Sequence, residues 1–306
     1  MEIYQIVLII LAGVILLSLI GYLSFCFYIS SMMADKMCKP KHFKSKEEKI
    51  NEVKNSEGTT NYSRTPITFK MKDGYIIHGD YSLNNKKKFV IMMHGHISNR
   101  EGLVKYAYAF YRLGYSLVFY DHRSHGENVR GIVTMGYKEH LDALEIIKQV
   151  KERFGQDIEL GLFGTSMGGA TALLTACERD DLSFVVADSA FASLEELTKS
   201  FIEIHHSPMF PILGLTNYFI KKRYHFSFKD VSPMEVLKNN KNVPVLFIQG
   251  EEDELVFPRN AKKLYNNCVS NKELVYFPKA GHCHSVIVDK NRYYKVIEDF
   301  INKYRR

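Results

Sequence analysis

Six stretches of the chain are predominantly apolar without alternating with polar residues, and helix-like segments separate them. In chain order these stretches are KKFVIMMHG, GYSLVFYD, IELGLFG, LSFVVAD, VPVLFIQG and ELVYFP. Continuous apolar runs are typical of strands that are buried on both faces of a sheet. A helical period predicts helices over 101–113, 137–153, 167–178, 259–267 and 289–304. This alternation predicts an α/β fold built on a mostly parallel sheet with helices on both faces.

A hairpin signal precedes the first of these stretches. The segments TPITFKM and YIIHGDYSL lie on either side of Lys72, Asp73 and Gly74. An Asp-Gly pair between two strand-like segments is typical of a β-hairpin turn. We therefore expect the sheet to begin with antiparallel strands.

Residues 191–240 interrupt the alternation because they carry no strong strand pattern. They include the aromatic sequence FIEIHHSPMFPILGLTNYFIKKRYHF, which Pro208 and Pro211 break. A long insertion between strands often covers a pocket, so we predict a helical lid. The alternative is a packed helical segment that has no gating role. Four of its residues could line an acyl or aromatic pocket or could equally pack as core. They are Phe210, Leu213, Tyr218 and Phe219.

The N-terminal stretch from Ile3 to Ser31 has no charged residue and is almost wholly apolar. About 20 apolar residues suffice to cross a bilayer. A cleaved signal peptide would have a basic start, a shorter apolar core and a small-residue cleavage site. Here Glu2 is the one charged residue before the run, and SSMMADK is a poor cleavage site. We therefore predict a retained transmembrane anchor over residues 1–31.

A polar, aperiodic segment follows the anchor and is predicted to be a linker over residues 32–62. Five lysines without an intervening acid favour the cytoplasmic side of the cell membrane for the residues that follow. They could contact anionic lipid heads, or the segment could simply be solvated. The lysines are Lys36, Lys39, Lys41, Lys44 and Lys46.

Composition excludes several other classes of protein. The chain has 306 residues and a net charge of +7. The basic excess lies beside the predicted anchor without a nucleic-acid recognition motif, so we expect no nucleic-acid partner. Five cysteines form no CxxC pair, which argues against a disulfide scaffold and a cysteine-type zinc site.

The sequence LGLFGTSMGGATALLTA places Ser166 between glycines at the junction of a strand and a helix. A serine nucleophile needs a base, an acid that orients the base, and backbone donors for the oxyanion. Gly164 and Gly168 would leave room at a sharp turn, and the helix start would direct the Met167 N–H toward negative charge. The G-x-S-x-G pattern alone can also arise from glycines with a purely structural role. Its position between a strand and a helix makes Ser166 a candidate nucleophile.

With four further segments, this turn resembles the α/β-hydrolase superfamily, and within it the bacterial serine hydrolases grouped with monoacylglycerol lipases and S33 serine aminopeptidases. The resemblance covers about residues 65–305 and implies a hydrolase domain over 63–306. MHGHISNR resembles the HG turn after the third strand, which implies that the His96 N–H is the second oxyanion donor beside that of Met167. FYDHRSHGEN resembles the D-x-R-x-x-G segment after the fourth strand.

The two remaining segments would carry the rest of a catalytic triad. IQGEEDELVFP resembles the segment after the seventh strand, which implies that Asp253 is the acid. Phe257 departs from that pattern by displacing the proline, but it does not displace the acid. KAGHCHS resembles the turn after the last strand, which implies that His282 is the base.

The order serine, aspartate, histidine is the order expected of this fold. Each candidate follows a strand-like run, and such loops converge at the carboxyl edge of a parallel sheet. Asp188 after the sixth strand remains an alternative acid, and His284 remains an alternative base. Three neighbours of these candidates are interpreted as solvated or packed residues: Glu251, Glu252 and Cys283.

Histidine pairs make a metal site worth considering. The sequence contains no H-E-x-x-H, three of the pairs fall inside the turn motifs, and the family that the chain resembles is metal-free. We therefore expect neither a metal nor another cofactor. The pairs are His94 and His96, His122 and His125, His205 and His206, and His282 and His284.

Three functions remain, in descending order. The first is a membrane-anchored serine hydrolase that cleaves a small acyl ester or a lipid ester through an acyl-enzyme. The second is an S33-like aminopeptidase or amidase, which would add a pocket carboxylate from Glu195, Glu196 or Glu203. The third is a binding scaffold, which the filled triad positions disfavour.

Overall fold

The computed structural model describes residues 2–55 and 63–304. Within these residues an eight-stranded sheet lies between helices. The strands are β1 Thr65–Lys70, β2 Ile76–Ser82, β3 Lys88–Met93, β4 Ser116–Tyr120, β5 Glu159–Thr165, β6 Phe184–Asp188, β7 Val245–Gly250 and β8 Lys272–Phe277. The α-helices are α1 Ile3–Cys38, α2 Lys46–Asn55, α3 Val104–Tyr111, α4 Tyr137–Phe154, α5 Met167–Ala176, α6 Leu194–Ile204, α7 Met209–Tyr224, α8 Pro233–Val236, α9 Arg259–Asn267, α10 Ser285–Val288 and α11 Lys290–Tyr304.

The sheet has the strand order β1-β2-β4-β3-β5-β6-β7-β8. Strand β2 pairs antiparallel with β1 and β4, and the other neighbours are parallel. The predicted hairpin is present, and its Gly74 has a φ of +82°, which glycine adopts at little cost. The six predicted apolar runs form β3 to β8, which confirms the mostly parallel α/β fold.

Successive residues of the central strands enter two different cores. In β3, Phe89 and Ile91 pack in a cluster with α4, α5 and α9, whereas Val90 and Met92 pack with α3 and α11. Because alternate side chains of a strand point to opposite faces, helices must cover both faces. This double burial is why the strands are apolar without alternation.

The loops at the carboxyl edge of the sheet are fixed by a buried ion cluster. The Arg100 guanidinium pairs with Asp121 and, at 2.7 Å, with Asp80. The Asp121 carboxylate also accepts the Arg100 backbone N–H at 2.8 Å. A side chain at Gly126 would collide with the Asp121 carboxylate. The D-x-R-x-x-G segment is therefore a structural brace for the loops after β3 and β4.

Helix α1 is long and apolar enough to span a membrane. Its first two thirds are exposed, whereas its last turns bury a stripe that includes Cys26, Ser30, Met33 and Met37. The helix continues past the predicted anchor to Cys38 because these turns pack against the domain. Helix α2 also lies within the predicted linker, of which residues 56–62 fall outside the described part of the chain.

The insertion between β6 and β7 is helical, as predicted, and consists mainly of α6 and α7. Ser193 caps α6 by accepting the Glu196 N–H at 3.1 Å. Phe210 has non-helical backbone angles near the start of α7, immediately before Pro211. Helix α7 then packs along α1, so the insertion lies between the N-terminal helix and the sheet edge.

Candidate active site

Ser166 lies in a strained turn between β5 and α5. Its backbone has φ 54° and ψ −117°, a region that non-glycine residues occupy only under constraint. The Ser166 N–H donates to the Asp188 carbonyl at 2.8 Å, and the Ser166 carbonyl accepts from Ala170 N–H at 3.0 Å. The end of β6 and the first turn of α5 therefore impose this conformation.

Three glycines allow the backbone to close around Ser166. A Cβ at Gly164 would collide with the Gly168 carbonyl, and one at Gly168 would collide with the Met93 carbonyl. A Cβ at Gly95 would approach the Ser166 Cβ to 3.3 Å. The loop after β3 therefore packs directly against the serine.

We expect Gly168→Ala to lower the unfolding free energy by about 1–3 kcal/mol, as overpacking does. The clash is with backbone, which has no rotamer with which to relieve it. Gly214→Ala is the matched control, because Gly214 on α7 has no atom within 4 Å of an added Cβ. Thermal unfolding in detergent gives the midpoint of each variant. Equal midpoints for the two variants would contradict the close approach at Gly168.

Asp253 and His282 form a hydrogen-bonded pair at the same sheet edge. The His282 Nδ1 lies 2.8 Å from the Asp253 Oδ2. The other carboxylate oxygen, Oδ1, accepts the N–H groups of Leu255 at 3.0 Å and Val256 at 2.8 Å. Both oxygens of the carboxylate are thus held in place.

Gln249 is a further residue at this site that the sequence analysis did not identify. Its Nε2 donates to the Asp253 Oδ2 at 3.0 Å and to the Val256 carbonyl at 3.1 Å. The residue is fully buried at the end of β7. A buried side-chain amide is costly without hydrogen-bond partners. A glutamine within the apolar run VLFIQG could therefore have indicated a polar partner at this end of the strand.

The turn that carries His282 is fixed through Cys283, which has a φ of 59°. The Cys283 carbonyl accepts the Tyr106 hydroxyl at 2.8 Å, and its N–H donates to the Ser189 Oγ at 3.1 Å. Burial of the imidazole opposes protonation, but Cys283 and the Asp253 carboxylate outweigh it and raise the pKa of His282 well above its ordinary value.

This raised pKa predicts the pH dependence of any reaction in which His282 is the base. The base must be neutral, so activity is lost as the pH falls through the pKa of His282 in the folded protein. In a pH profile of kcat/KM, the ascending limb should therefore lie above about pH 6.5, which is the ordinary pKa of a histidine side chain. Rates on a neutral ester substrate over a pH series from about 5 to 10 measure this limb. A limb below the ordinary histidine value would contradict this electrostatic environment.

The alternative acid and base have other surroundings. The Asp188 carboxylate accepts the hydroxyls of Tyr293 at 2.9 Å and Ser189 at 3.1 Å. Burial raises the pKa of Asp188 to about 6. Burial lowers the pKa of His284, and the carboxylate of Asp253 is bonded to His282 instead. The geometry therefore favours Asp253 and His282 over these alternatives.

Two backbone N–H groups are available near Ser166. Among the described residues, neither the His96 N–H nor the Met167 N–H donates to a backbone carbonyl. Met167 is the first residue of α5, where N–H groups lack intrahelical acceptors. The His96 imidazole is occupied separately, because its Nε2 lies 3.0 Å from the Met37 carbonyl of α1. Burial lowers the pKa of His96 to about 4, so a neutral ring donates this bond.

The other histidines at this edge of the sheet form hydrogen bonds that hold the loops after β3 and β4. The His94 Nε2 accepts the His122 N–H at 2.9 Å, and the His125 Nε2 accepts the Ile97 N–H at 3.1 Å. Acceptance requires neutral rings, which agrees with the lowered pKa values that burial gives His94 and His125. Within the described residues, no group of three or more His, Cys, Asp or Glu side chains is arranged to hold a metal.

Ser166 opens into a largely apolar cavity of about 360 Å³, within the size range of small-molecule sites. Its walls come chiefly from α1 and α6, and none of the described residues that line it is acidic. The main apolar lining residues are Ile29, Met33, Met37, Leu197, Phe201 and Ile202.

The sequence left two roles open for four residues of the insertion, pocket lining or core packing, and pocket lining is not what the structure shows. None of them belongs to the described lining. Phe219 is buried against Phe27 with ring centroids 4.8 Å apart, Leu213 packs in the core, and Phe210 and Tyr218 are exposed. The residues of α6 line the cavity instead, because α1 occupies the space beside α7.

Comparison with known proteins agrees with the fold. A family model described as serine aminopeptidase, S33, matches residues 84–223. YqkD of Bacillus subtilis is 28% identical over 244 residues, which cover 78% of this chain and 79% of that protein. The membrane protein YNL320W of Saccharomyces cerevisiae is 31% identical over 198 residues, or 63% of each chain. This second match thus spans less than two thirds of that relative.

Solved structures show the same architecture. The Pyrococcus furiosus esterase Pf2001 superposes with a TM-score of 0.66 at 22% identity, covering 80% of this chain and 94% of that one. The Pyrococcus horikoshii acylaminoacyl peptidase superposes with a TM-score of 0.62 at 18% identity, covering 83% of this chain and 43% of that one. From its strand order and these superpositions, the chain has the α/β-hydrolase fold, and over the residues that the family model matches it is similar to the S33 serine aminopeptidases.

Proposed function

We propose that the protein is a membrane-anchored serine hydrolase that cleaves carboxylic esters, with Ser166 as nucleophile, His282 as base and Asp253 as acid. The main observation in support is that Ser166 sits in a strained turn and opens into an apolar cavity. A residue held in such a conformation usually serves a function. The hydrogen-bonded Asp253 and His282 at the same edge complete the set of groups that a serine nucleophile needs.

In this proposal the Ser166 Oγ attacks the ester carbonyl while the His282 Nε2 takes its proton. The N–H groups of His96 and Met167 stabilise the negative oxygen of the tetrahedral intermediate. His282 returns the proton to the departing alcohol, which leaves an acyl-enzyme. Water, deprotonated by His282, then releases the carboxylic acid and restores Ser166. Asp253 holds the imidazole and stabilises its protonated form throughout.

The cavity favours an ester over an aminoacyl amide. An aminopeptidase needs a carboxylate for the free amine of its substrate, whereas no acid is found among the described lining residues. The three candidate acids are engaged elsewhere: Glu195 pairs with Lys199 at 2.7 Å, Glu196 with Lys263 at 2.6 Å and Glu203 with Arg259 at 2.7 Å. Rates on p-nitrophenyl acyl esters and aminoacyl p-nitroanilides separate the two functions.

We also propose that α1 anchors the protein in the cell membrane with the hydrolase domain on the cytoplasmic side. Its apolar length supports the span, and the lysines that follow support the orientation. Protease protection of the domain in sealed, right-side-out cells, and its loss after permeabilisation, would test this orientation.

A fluorophosphonate probe tests the proposed chemistry directly. The full chain, in detergent or nanodiscs, is treated with the probe, digested and mapped by mass spectrometry. We expect one adduct, on Ser166, because the probe needs an activated serine. Heat-denatured protein is the control and should not react. A folded sample without an adduct on Ser166 would overturn the proposal.

A further inference from the structure

The helix predicted to cross the membrane also forms one wall of the Ser166 cavity. Ile29, Met33 and Met37 of α1 line the cavity opposite Phe201 of α6. These α1 residues are spaced by four, so they form a single stripe along one helix face. Helix α1 therefore contributes to the site itself, and is more than a tether for the domain.

Helix α7 packs against the part of α1 that is apolar. The Tyr22 hydroxyl donates to the Phe210 carbonyl at 2.9 Å, and the Phe27 and Phe219 rings are 4.8 Å apart. Tyr22 and Phe27 both lie inside the uncharged run from Ile3 to Ser31. At 1.5 Å per residue, Tyr22 is about 13 Å along the axis from the end of that run. When α1 spans a bilayer, the start of α7 lies in the bilayer with it.

The outward face of α7 fits such surroundings. Phe210 is 85% exposed and Tyr218 is 50% exposed, and Gly214 lies between them on the same face. Backbone polar groups at membrane depth must find partners within the protein. The non-helical Phe210 carbonyl is bonded to Tyr22, and Pro211 has no N–H to satisfy. The irregular start of α7 therefore has few unpaired groups to expose to lipid.

The opposite end of α7 is basic and meets the end of the apolar run. Arg223 donates to the Asp35 carboxylate at 2.9 Å and to the Ser31 hydroxyl at 2.9 Å. Lys221 and Lys222 precede it and are exposed. Basic side chains are favoured where a membrane span meets the headgroups. This end therefore marks the membrane surface, and the Phe210 end lies on the lipid side of it.

We propose that the acyl chain of the substrate enters the Ser166 cavity from the membrane, between α1 and the end of α6, and binds against the α1 stripe. The exposed side chains that line the cavity, Lys36 and His205, lie on α1 and at the end of α6. The mouth is therefore between these two segments. This inference rests on the proposed hydrolase function and specifies its substrate class as long-chain acyl esters that partition into the membrane.

The depth of α7 can be measured without any activity. The chain contains no tryptophan, so Phe210→Trp introduces a single fluorophore in the full-length protein. In vesicles of phosphatidylcholine brominated on its acyl chains, we expect strong quenching. Val269→Trp is the matched control, because Val269 is also an exposed apolar residue, at 57%, but lies before β8. Equal quenching of the two tryptophans would overturn the placement of α7 in the bilayer.

Chain-length selectivity tests the α1 wall. In nanodiscs, Met33→Trp should lower the ratio of kcat/KM for p-nitrophenyl dodecanoate to that for the acetate by about tenfold or more, as a filled apolar pocket does. Met33→Ala enlarges the same wall and should shift the preference toward hexadecanoate. Tyr28→Trp is the control, because Tyr28 is 65% exposed on α1 and lies outside the cavity lining. Its ratio should match that of the wild type.

The results separate the two proposals. If fluorophosphonate labels Ser166 but neither Met33 variant changes the ratio, the α1 wall is overturned and the hydrolase function stands. If Ser166 does not react at all, the hydrolase function fails, and the tryptophan quenching alone decides whether α7 lies in the bilayer.

Discussion

Ser166→Ala should lower kcat on an acyl ester by about 10⁵–10⁶-fold, since loss of the nucleophile in a triad hydrolase leaves only binding and oxyanion stabilisation. Ser166 caps α5 without a side-chain hydrogen bond, so removal of the hydroxyl breaks no structural contact of the helix end. The thermal unfolding midpoint should therefore stay within a few degrees of the wild type. Steady-state hydrolysis of a p-nitrophenyl ester measures the rate.

Ser183→Ala is the matched control for this variant. Ser183 is a half-buried serine that precedes β6, at the opposite edge of the sheet from Ser166. It should retain the wild-type rate. A Ser166→Ala protein that is folded and keeps more than about 1% of the wild-type kcat would exclude Ser166 as nucleophile, because that remainder exceeds what the other groups supply.

The sheet could be predicted from the sequence because its signals are local. Each strand from β3 to β8 is a continuous apolar run, and the two faces of β3 show why: Phe89 and Ile91 enter one core, and Val90 and Met92 enter the other. The hairpin before it needs a left-handed residue, and Gly74 supplies one. Patterns of this kind depend on neighbours within a few residues.

The candidate triad residues could be proposed from motifs for the same reason. Ser166, Asp253 and His282 each follow a strand, so the parallel topology brings their loops to one edge. The geometry then adds what motifs lack. It pairs Asp253 with His282 and engages Asp188 with Tyr293 and Ser189.

The supporting contacts could not be predicted, because their partners are distant in sequence. The His96 imidazole bonds the Met37 carbonyl, 59 residues away. Tyr106 holds the Cys283 carbonyl, 177 residues away. Such contacts exist only once the fold has formed, and the sequence pattern around each residue gives no indication of its partner.

The sequence could not decide the role of the large side chains in the insertion for a similar reason. An aromatic segment in an insertion between strands is compatible with side chains that line a pocket and with side chains that pack in the core. Helix α1 instead provides a partner that the pattern of the insertion cannot reveal, and Phe219 packs on Phe27. The apolar side chains of α7 contact a neighbouring helix or face outward.

Asp253→Asn should lower kcat by about 10⁴-fold, because the asparagine amide cannot stabilise the imidazolium and favours the wrong tautomer of the base. The Asp253 carboxylate also raises the pKa of His282. Its loss should therefore move the ascending limb of the pH–rate profile to lower pH while the rate falls. This combination separates a triad acid from a structural residue, whose loss would lower the rate without moving the limb in that direction.

Asp188→Asn is the comparison that decides between the two carboxylates. Asp188 is fully buried, and its bonds to Tyr293 and Ser189 brace the turn that holds Cys283 and His282. An asparagine can still accept one of these hydroxyls, so we expect reduced stability and a loss of kcat of no more than about tenfold, one hydrogen bond being worth about 1 kcal/mol. If the two variants exchange these effects, Asp188 is the acid. Because the bond from His282 goes to Asp253, the larger loss and the shifted limb should belong to Asp253→Asn.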